Sequence, residues 1–316
     1  MNGPLQFDSL EGAKLPAKPL HLAIGMFDGV HLGHQSVIAS ALHSAKRSGG
    51  LAGVLTFWPH PSALFQPENP TRLIMPVEMK RAVLAKSGID CIIEQNFSPE
   101  FAHIEAKEFL AHLKRHLPHL AAVYVGEDWR FGRGRSGDVA LLVAEAQAAG
   151  IEVFSAPRLN HNGGAISSSR IRELLAAGAM AEANALLGYS YFTTGTVQPG
   201  RRLGRTIGFP TLNLAWEPEL KPAYGVYAVE VSTEQRRPLR GVANYGLRPT
   251  VEQTNRPLLE VHLLDTSSLT YGDKLTVNWL QFLRPEAKFG GMEEMRLQIV
   301  QDRENALKFF QKSAAP

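Results

Sequence analysis

Two hydrophobic rhythms divide this chain near residue 188, and no single fold class accommodates both. Up to residue 155, short apolar runs at 21–27, 51–58, 90–95, 121–125 and 151–155 read as strands. Between them lie stretches of helical periodicity at 36–48, 77–87, 106–117 and 139–149, mostly closed by Gly or Pro. That alternation predicts an α/β domain: a parallel sheet covered by helices. Ser169 then opens a helix over 170–177 that Gly178 stops, and a further short helix reaches Leu187. From Tyr191 onward the apolar runs are short, β-branched and spaced by Gly, Pro and Asn, at 193–197, 211–214, 226–231, 241–245, 258–264 and 274–283. Their spacing predicts a small antiparallel β-barrel. An amphipathic helix over 292–310, with Ile299, Ala306 and Phe310 on its apolar side, is expected to pack against that barrel. A length of 316 residues suits two such domains, at 1–187 and 188–316.

Composition narrows the partners. Thirty-three basic and 30 acidic residues leave a net charge of +3, too nearly balanced to argue for nucleic acid or a membrane surface. No apolar run approaches the roughly 20 residues of a membrane span, and the N-terminus lacks a basic region followed by an apolar core. The expected location is the cytoplasm. Cys91 is the only cysteine, so there is no intrachain disulfide or CxxC metal site, and a buried strand position is expected for it. The oligomeric state is left open.

The first chemical signal is GMFDGVHLGHQ, 25–35. An apolar strand runs into the turn Asp28-Gly29, and the helix that follows offers free N–H groups and a positive dipole end. His31 and His34 are three apart and can share one face. Taken singly, each is an exposed or capping histidine. Zinc is a poorer reading, because two ligands lack a convincing third. In a strand-turn-helix context the pair suits a polyphosphate, and it resembles the HxGH motif of the nucleotidylyltransferases.

Two further strings belong to this half. GEDWRFGRGRSGD, 126–138, mixes glycines, aromatics and arginines after a strand, either as a nucleotide-facing loop or as a solvated surface loop. SSSRIR, 167–172, reads as a serine cap with a basic first turn. Because Arg170 and Arg172 oppose the helix dipole there, an anion at that end would explain them.

The second half carries GRRLGRTIGFPTLN, 200–213. Its glycines and arginines can approach phosphates, or they can form a β-turn whose exit Pro210 fixes. Thr211 and Asn213 alternate onto one strand face, where oxygen ligands suit Mg²⁺. Glu260, within LLEVHLLD, is either an outward-facing surface carboxylate or a base for a substrate hydroxyl during phosphoryl transfer.

Together these strings resemble the bacterial bifunctional riboflavin kinase/FMN adenylyltransferases (FAD synthetases). GMFDGVHLGH, TFWPHP, VGEDWRFG, ISSSRIR, GRTIGFPTLN, GVYAVEV, GVANYGLRPTV, LEVHLLD and YGDKLTVNWLQFLRPEAKF occur in that family's order, followed by the closing helix. The likeness runs from about His21 to Phe310. It implies a barrel that phosphorylates riboflavin with MgATP, and a first domain that joins FMN to AMP with loss of pyrophosphate. By the same resemblance, Thr211 and Asn213 serve Mg²⁺ and Glu260 is the base on the ribityl 5′-hydroxyl. Arg284, Glu286 and Phe289 lie on the flavin side, and Gly204, Arg205 and Gly208 bind nucleotide. In the first domain it assigns His31, His34, Ser168 and Arg170 to the triphosphate. Gly25, Phe27, Asp28, Gly29, Asp128, Arg130, Phe131 and Gly132 are assigned to the nucleotide. Trp58, which stands where an acidic residue is frequent, Trp129, Leu212 and Tyr245 depart from the family's commonest residues, and none of these changes removes a charged catalytic group.

Two rival readings remain: a nucleotidylyltransferase with another phosphorylated substrate, and a flavin-binding regulator. The barrel argues against the first. The joint retention of His31, His34, Arg170, Thr211, Asn213 and Glu260 argues against the second.

Overall fold

The computed structural model describes residues 3–200, 204, 207–233, 236–247 and 257–313. Its contacts divide the chain into two compact units, Met1–Ser168 and Ser169–Pro316.

The first unit is a six-stranded sheet in the order β1-β4-β3-β2-β5-β6. Its strands are β1 (Leu5–Phe7), β2 (Leu20–Ile24), β3 (Leu51–Trp58), β4 (Cys91–Asn96), β5 (Leu120–Gly126) and β6 (Glu152–Ala156), and every pairing is parallel. Helices α1 (Leu32–Ser48), α2 (Pro61–Phe65), α3 (Val77–Lys86), α4 (Pro99–Ala102), α5 (Ala106–His116) and α6 (Val139–Ala149) fill the connections. Alternation along β2 sorts the two cores. Leu20, Leu22 and Ile24 pack with Phe109, Leu110 and Leu113 of α5 and Leu142 of α6. Ala23 packs instead with Val37, Ile38 and Ala41 of α1 and with Tyr124. Cys91 is fully buried on β4, as its strand position implies, and desolvation pushes its thiol pKa up to about 12.

β2 pairs with β3 on one side and β5 on the other: the chain runs from β2 through β3 to β4 on one side and then crosses to β5 on the other, so the strand order reverses at β2. Ligands of such sheets gather beyond the carboxyl ends of the strands flanking that switch point. The segments that follow β2 and β5 are the two phosphate-type strings, 25–35 and 126–138.

Unexpected elements are short. β1 has three residues, too few to show a period, and is held by pairing with β4. β7 (Asn160–His161) and β8 (Gly164–Ala165) form a two-residue hairpin. α1 begins at Leu32, four residues before the expected start.

In the second unit, α7 (Ser168–Ala176) and α8 (Met180–Leu187) precede a closed antiparallel barrel in the order β10-β13-β12-β11-β14-β9. Its strands are β9 (Phe192–Gln198), β10 (Leu212–Ala215), β11 (Gly225–Thr233), β12 (Arg236–Leu247), β13 (Pro257–Leu263) and β14 (Lys274–Pro285). Closure leaves no edge strand. Buried aromatic rings form much of the core: Trp279 lies within 4.7–6.3 Å, centroid to centroid, of Tyr191, Trp216, Tyr227 and Tyr245. The unusual Tyr245 therefore belongs to this core. The C-terminal helix, Met292–Ser313, seats Ala306 and Phe310 with Ala228 in a small outer core. Asn184 of α8 ties the helical pair to the barrel: its amide N–H donates to Trp279 O and its oxygen accepts from Tyr191 N, both at 2.7 Å.

Candidate active sites

The turn between β2 and α1 is built from conformations that side chains resist. Phe27 has φ +50°, Gly29 φ +77° and Val30 φ +36°. A β-branched residue at positive φ is strained and persists only where its surroundings demand it. Gly25 lies under the Phe27 ring, 3.2 Å from where a Cβ would stand. The turn delivers His31 as the N-cap of α1, with Nδ1 accepting from His34 N at 3.3 Å. The capping role and the paired-imidazole reading thus hold at once. The two rings stack 3.6 Å apart at 16°, and Phe27 meets His34 edge-on at 5.3 Å. Two imidazoles so placed at a helix N-terminus can direct N–H donors to one anion.

Asp28 is buried, and its carboxylate accepts from Ile74 N at 3.0 Å. Its carbonyl accepts from Ser168 Oγ at 2.9 Å. Asp28 therefore braces the turn, and Ser168 closes against it. A second brace lies beneath: Lys80 Nζ contacts Thr56 Oγ1 at 3.1 Å and Glu94 at 3.3 Å, while Thr56 Oγ1 donates to Met26 O at 3.0 Å. Burial depresses the Lys80 pKa, and Glu94 opposes that shift. Sequence reading passed over Lys80 and Glu94. The available signal was a carboxylate inside the apolar strand Cys91–Asn96.

In the loop after β5, Phe131 is buried, stacked on Trp129 at 4.7 Å and packed on Phe109 at 5.2 Å. Gly132, at φ +72°, lies so close to Ala106 that a Cβ would collide with its backbone. Both residues anchor the loop to α5. Asp128 is exposed and pairs with Arg158, and Arg130 reaches Asp138, the N-cap of α6, at 3.5 Å. Arg170, on α7, meets Glu182 of α8 at 2.7 Å. A carboxylate of this chain thus already partners the cation that sequence reasoning reserved for an anion.

In the barrel, strand register assembles the site. Asn213 on β10 is directly opposite Glu260 on β13, which is directly opposite Asn244 on β12. Leu259 and Val261, on either side of Glu260, are fully buried in the barrel, whereas half-buried Glu260 and His262 line a cavity of about 400 Å³ on its outer wall. The outward-facing expectation for Glu260 describes its direction, but the loop 207–211 and the C-terminal helix enclose it. Thr211, Asn244, Ile207, Phe209, Val226, Val242, Met295 and Ile299 complete much of the lining. His262 Nδ1 lies 2.9 Å from Pro210 O and its ring meets Phe209 edge-on, so the strand holds the loop. Gly204 O accepts from Phe209 N at 2.7 Å, and Gly208 takes φ +87°. Arg205 lies outside the described residues, as do Arg201 and Arg202.

Arg284 makes a bidentate pair with buried Asp302 of the C-terminal helix, 2.7 Å at each oxygen, and its guanidinium lies 5.9 Å from the Phe289 ring centre. Glu286 sits against Gly246, where a Cβ would collide with its carboxyl. Burial raises the Glu286 pKa, and Leu247 N–H and Arg284 oppose the rise. Asp302 was missed in sequence reading, although it lies three residues past Ile299 and four before Ala306 on the apolar stripe. Asn244 showed no signal without the register.

The whole chain can be set beside known proteins on this geometry. A family model described as FAD synthetase matches residues 14–170, and one described as riboflavin kinase matches residues 187–310. The chain is 36% identical over 300 residues to the bifunctional riboflavin kinase/FMN adenylyltransferase of Escherichia coli K12, covering 94% of this chain and 95% of that one. It is 38% identical over 290 residues to that of Haemophilus influenzae, covering 92% and 94%. A crystal structure described as a macrolide-efflux protein from Streptococcus pneumoniae superposes with a TM-score of 0.85 at 28% identity, covering 95% of this chain and 97% of that one. Among the described residues no helix is long and apolar enough to cross a membrane. With both family models matched in order along one chain, and relatives alike over nearly its full length, the protein belongs to the bifunctional riboflavin kinase/FMN adenylyltransferases.

Proposed function

We propose that the protein makes FMN and then FAD: residues 188–316 transfer the γ-phosphoryl group of ATP to the 5′-hydroxyl of riboflavin, and residues 1–187 join FMN to the AMP part of a second ATP. The observation that carries the first assignment is Glu260 and Asn244 on the wall of a ligand-sized cavity that Thr211 also lines, with buried Asn213 directly opposite Glu260 in the same row. Apolar Val226, Val242, Met295 and Ile299 offer a surface for a flat ring system, and Arg284, Glu286 and Phe289 border the same cavity. Glu260 accepts the hydroxyl proton as oxygen attacks phosphorus.

Thr211 and Asn213 supply a hydroxyl and an amide oxygen two residues apart, hard donors that fit Mg²⁺. Gly200 leaves room for the Asn213 side chain, since a Cβ there would collide with it. When bound, Mg²⁺ offsets the charge of the β- and γ-phosphates. Gly204, Arg205 and Gly208 are assigned to the nucleotide on family likeness.

In the first unit the phosphate of FMN attacks the α-phosphorus of ATP, and the P–O bond to the departing pyrophosphate breaks. His31 and His34 at the α1 N-terminus offset the charge that develops there. Ser168 and the strained turn of Gly25, Phe27, Asp28 and Gly29 fix their position, and the loop bearing Asp128, Arg130, Phe131 and Gly132 takes the nucleotide. Arg170, two residues into α7 from Ser168, is assigned to the triphosphate on family likeness. α7 and α8 count with the first functional domain by sequence, while their packing is with the barrel. We place both reactions in the cytoplasm, where ATP and Mg²⁺ are supplied.

Incubation with riboflavin, ATP and Mg²⁺, with chromatography of the flavins over time, tests the assignment. FMN that appears and then converts to FAD supports both halves. FMN alone overturns the adenylyl-transfer assignment, and unchanged riboflavin overturns the kinase assignment.

A further inference from the structure

We propose that Glu11, His112 and His116 form a binding site for a transition-metal ion of the zinc type, separate from both candidate active sites. One donor atom from each of the three lies within 4.8 Å of the other two. His112 and His116 stand one turn apart on α5 with ring centres 5.0 Å apart, while Phe109, Leu110 and Leu113 carry that helix's buried face. Glu11 comes from a different element, the loop after β1. That loop is fixed: Leu10 is fully buried and its N–H donates to Gln95 Oε1 at 2.8 Å. Three donors from two elements, two of them imidazoles at i and i+4, make the donor set of a two-histidine, one-carboxylate site.

A second observation points the same way. His112 Nε2 is buried and has no hydrogen-bond partner among the described residues. Leaving a buried ring nitrogen unpaired is costly, and such an atom calls for an explanation. A metal supplies one.

Zinc–donor bonds of about 2.0–2.2 Å require the three donors to draw closer than they stand, which side-chain rotation of these partly exposed groups allows. An adjoining cavity, lined by Lys14, Arg115, His116 and His119, leaves space for water as a further ligand. Lys14 and Arg115 beside it disfavour hard cations held by charge alone, so the site selects an ion with affinity for imidazole over Mg²⁺. α5 ends at His116 and β5 begins at Leu120, which puts the cluster at the amino-terminal edge of the sheet, opposite the turn after β2. A metal there would tie the N-terminal segment to α5, whose first residue shoulders Gly132 and Gly137.

Titration calorimetry with Zn²⁺ alone, on the tag-free full-length protein in nucleotide-free buffer containing excess Mg²⁺, tests this. One equivalent of Zn²⁺ should bind, with affinity at least tenfold weaker in His112→Gln, His116→Gln and Glu11→Gln. Co²⁺ should give visible absorption bands that the same substitutions remove. Glu11→Gln lies in a loop and keeps the test open should a helix variant fold poorly. No Zn²⁺ binding, binding unaffected by all three substitutions, or binding lost in His31→Asn instead would each overturn the proposal.

Discussion

Asn213 and Glu260 stand directly opposite each other across the β10–β13 ladder, and Asn244 faces Glu260 from the other side on β12. This register sets three polar side chains in one row on the outer wall of the barrel, while Leu214, Leu259 and Tyr245, in the next row, are fully buried. A slip of one residue would turn Glu260 into the aromatic core and put an apolar residue in its place. The packing of that core is therefore what aims the carboxylate.

Glu260→Ala and Glu260→Gln should each lower FMN formation by about 10²–10⁴-fold, the usual contribution of a positioned base. FAD formation from supplied FMN should persist. The Gln variant keeps the shape of the side chain, so an equal loss in both variants separates proton acceptance from packing. Chromatography of the two products decides it, and parallel loss of both activities would sink the two-site assignment.

His31 has two jobs that can be separated. As N-cap of α1 it stabilises the helix, and its imidazole stacks on His34. His31→Ala should cost about 1 kcal/mol of stability through the lost cap and let FMN accumulate. His31→Asn restores a good cap but no imidazole, so stability should recover while FAD synthesis stays low. Recovery of FAD synthesis in the Asn variant would assign His31 to capping alone.

The parallel sheet and the barrel were legible because each imposes its own period, and α6 matches its expected bounds, Val139–Ala149. What the sequence hid depends on contacts between distant segments. Asp302 looked like one more charge on an amphipathic helix until Arg284 met it. Asn244 gained meaning only from register. Phe131 and Gly132 read as part of a nucleotide-facing loop, and their packing against α5, which anchors that loop, had no local signal. Local pattern encodes elements, and tertiary packing decides which polar groups face a ligand.

The Arg284–Asp302 pair joins the end of β14 to the C-terminal helix at the cavity wall. Asp302→Ala leaves the guanidinium without its carboxylate and should destabilise the barrel by about 3 kcal/mol, the usual order for breaking a largely buried pair. The KM for riboflavin should rise more than kcat falls, since the pair shapes the cavity without touching the transferred phosphoryl group. Denaturant unfolding and steady-state kinetics check the two effects, and a variant as stable as the parent would show that the pair is not what holds the helix.

His21 gives the first unit a defined acid sensitivity. Its ring is buried on β2, with Nδ1 3.0 Å from Tyr124 Oη and Nε2 2.8 Å from Ser48 Oγ. Desolvation lowers its pKa below the usual imidazole value, and Glu152 only partly opposes this. The folded state therefore stays neutral at a pH where the unfolded chain already binds a proton. Stability is full above about pH 6.5 and falls as the pH drops toward the folded pKa, by at most about 1.4 kcal/mol per pH unit for one such group. His112, shifted in the same direction, adds to the slope. Urea unfolding of the first unit at pH 7.5 and 5.5 should show a clear loss in the parent and a smaller one in His21→Gln, which can still bridge Tyr124 and Ser48. Equal losses in the two proteins would place the acid sensitivity elsewhere.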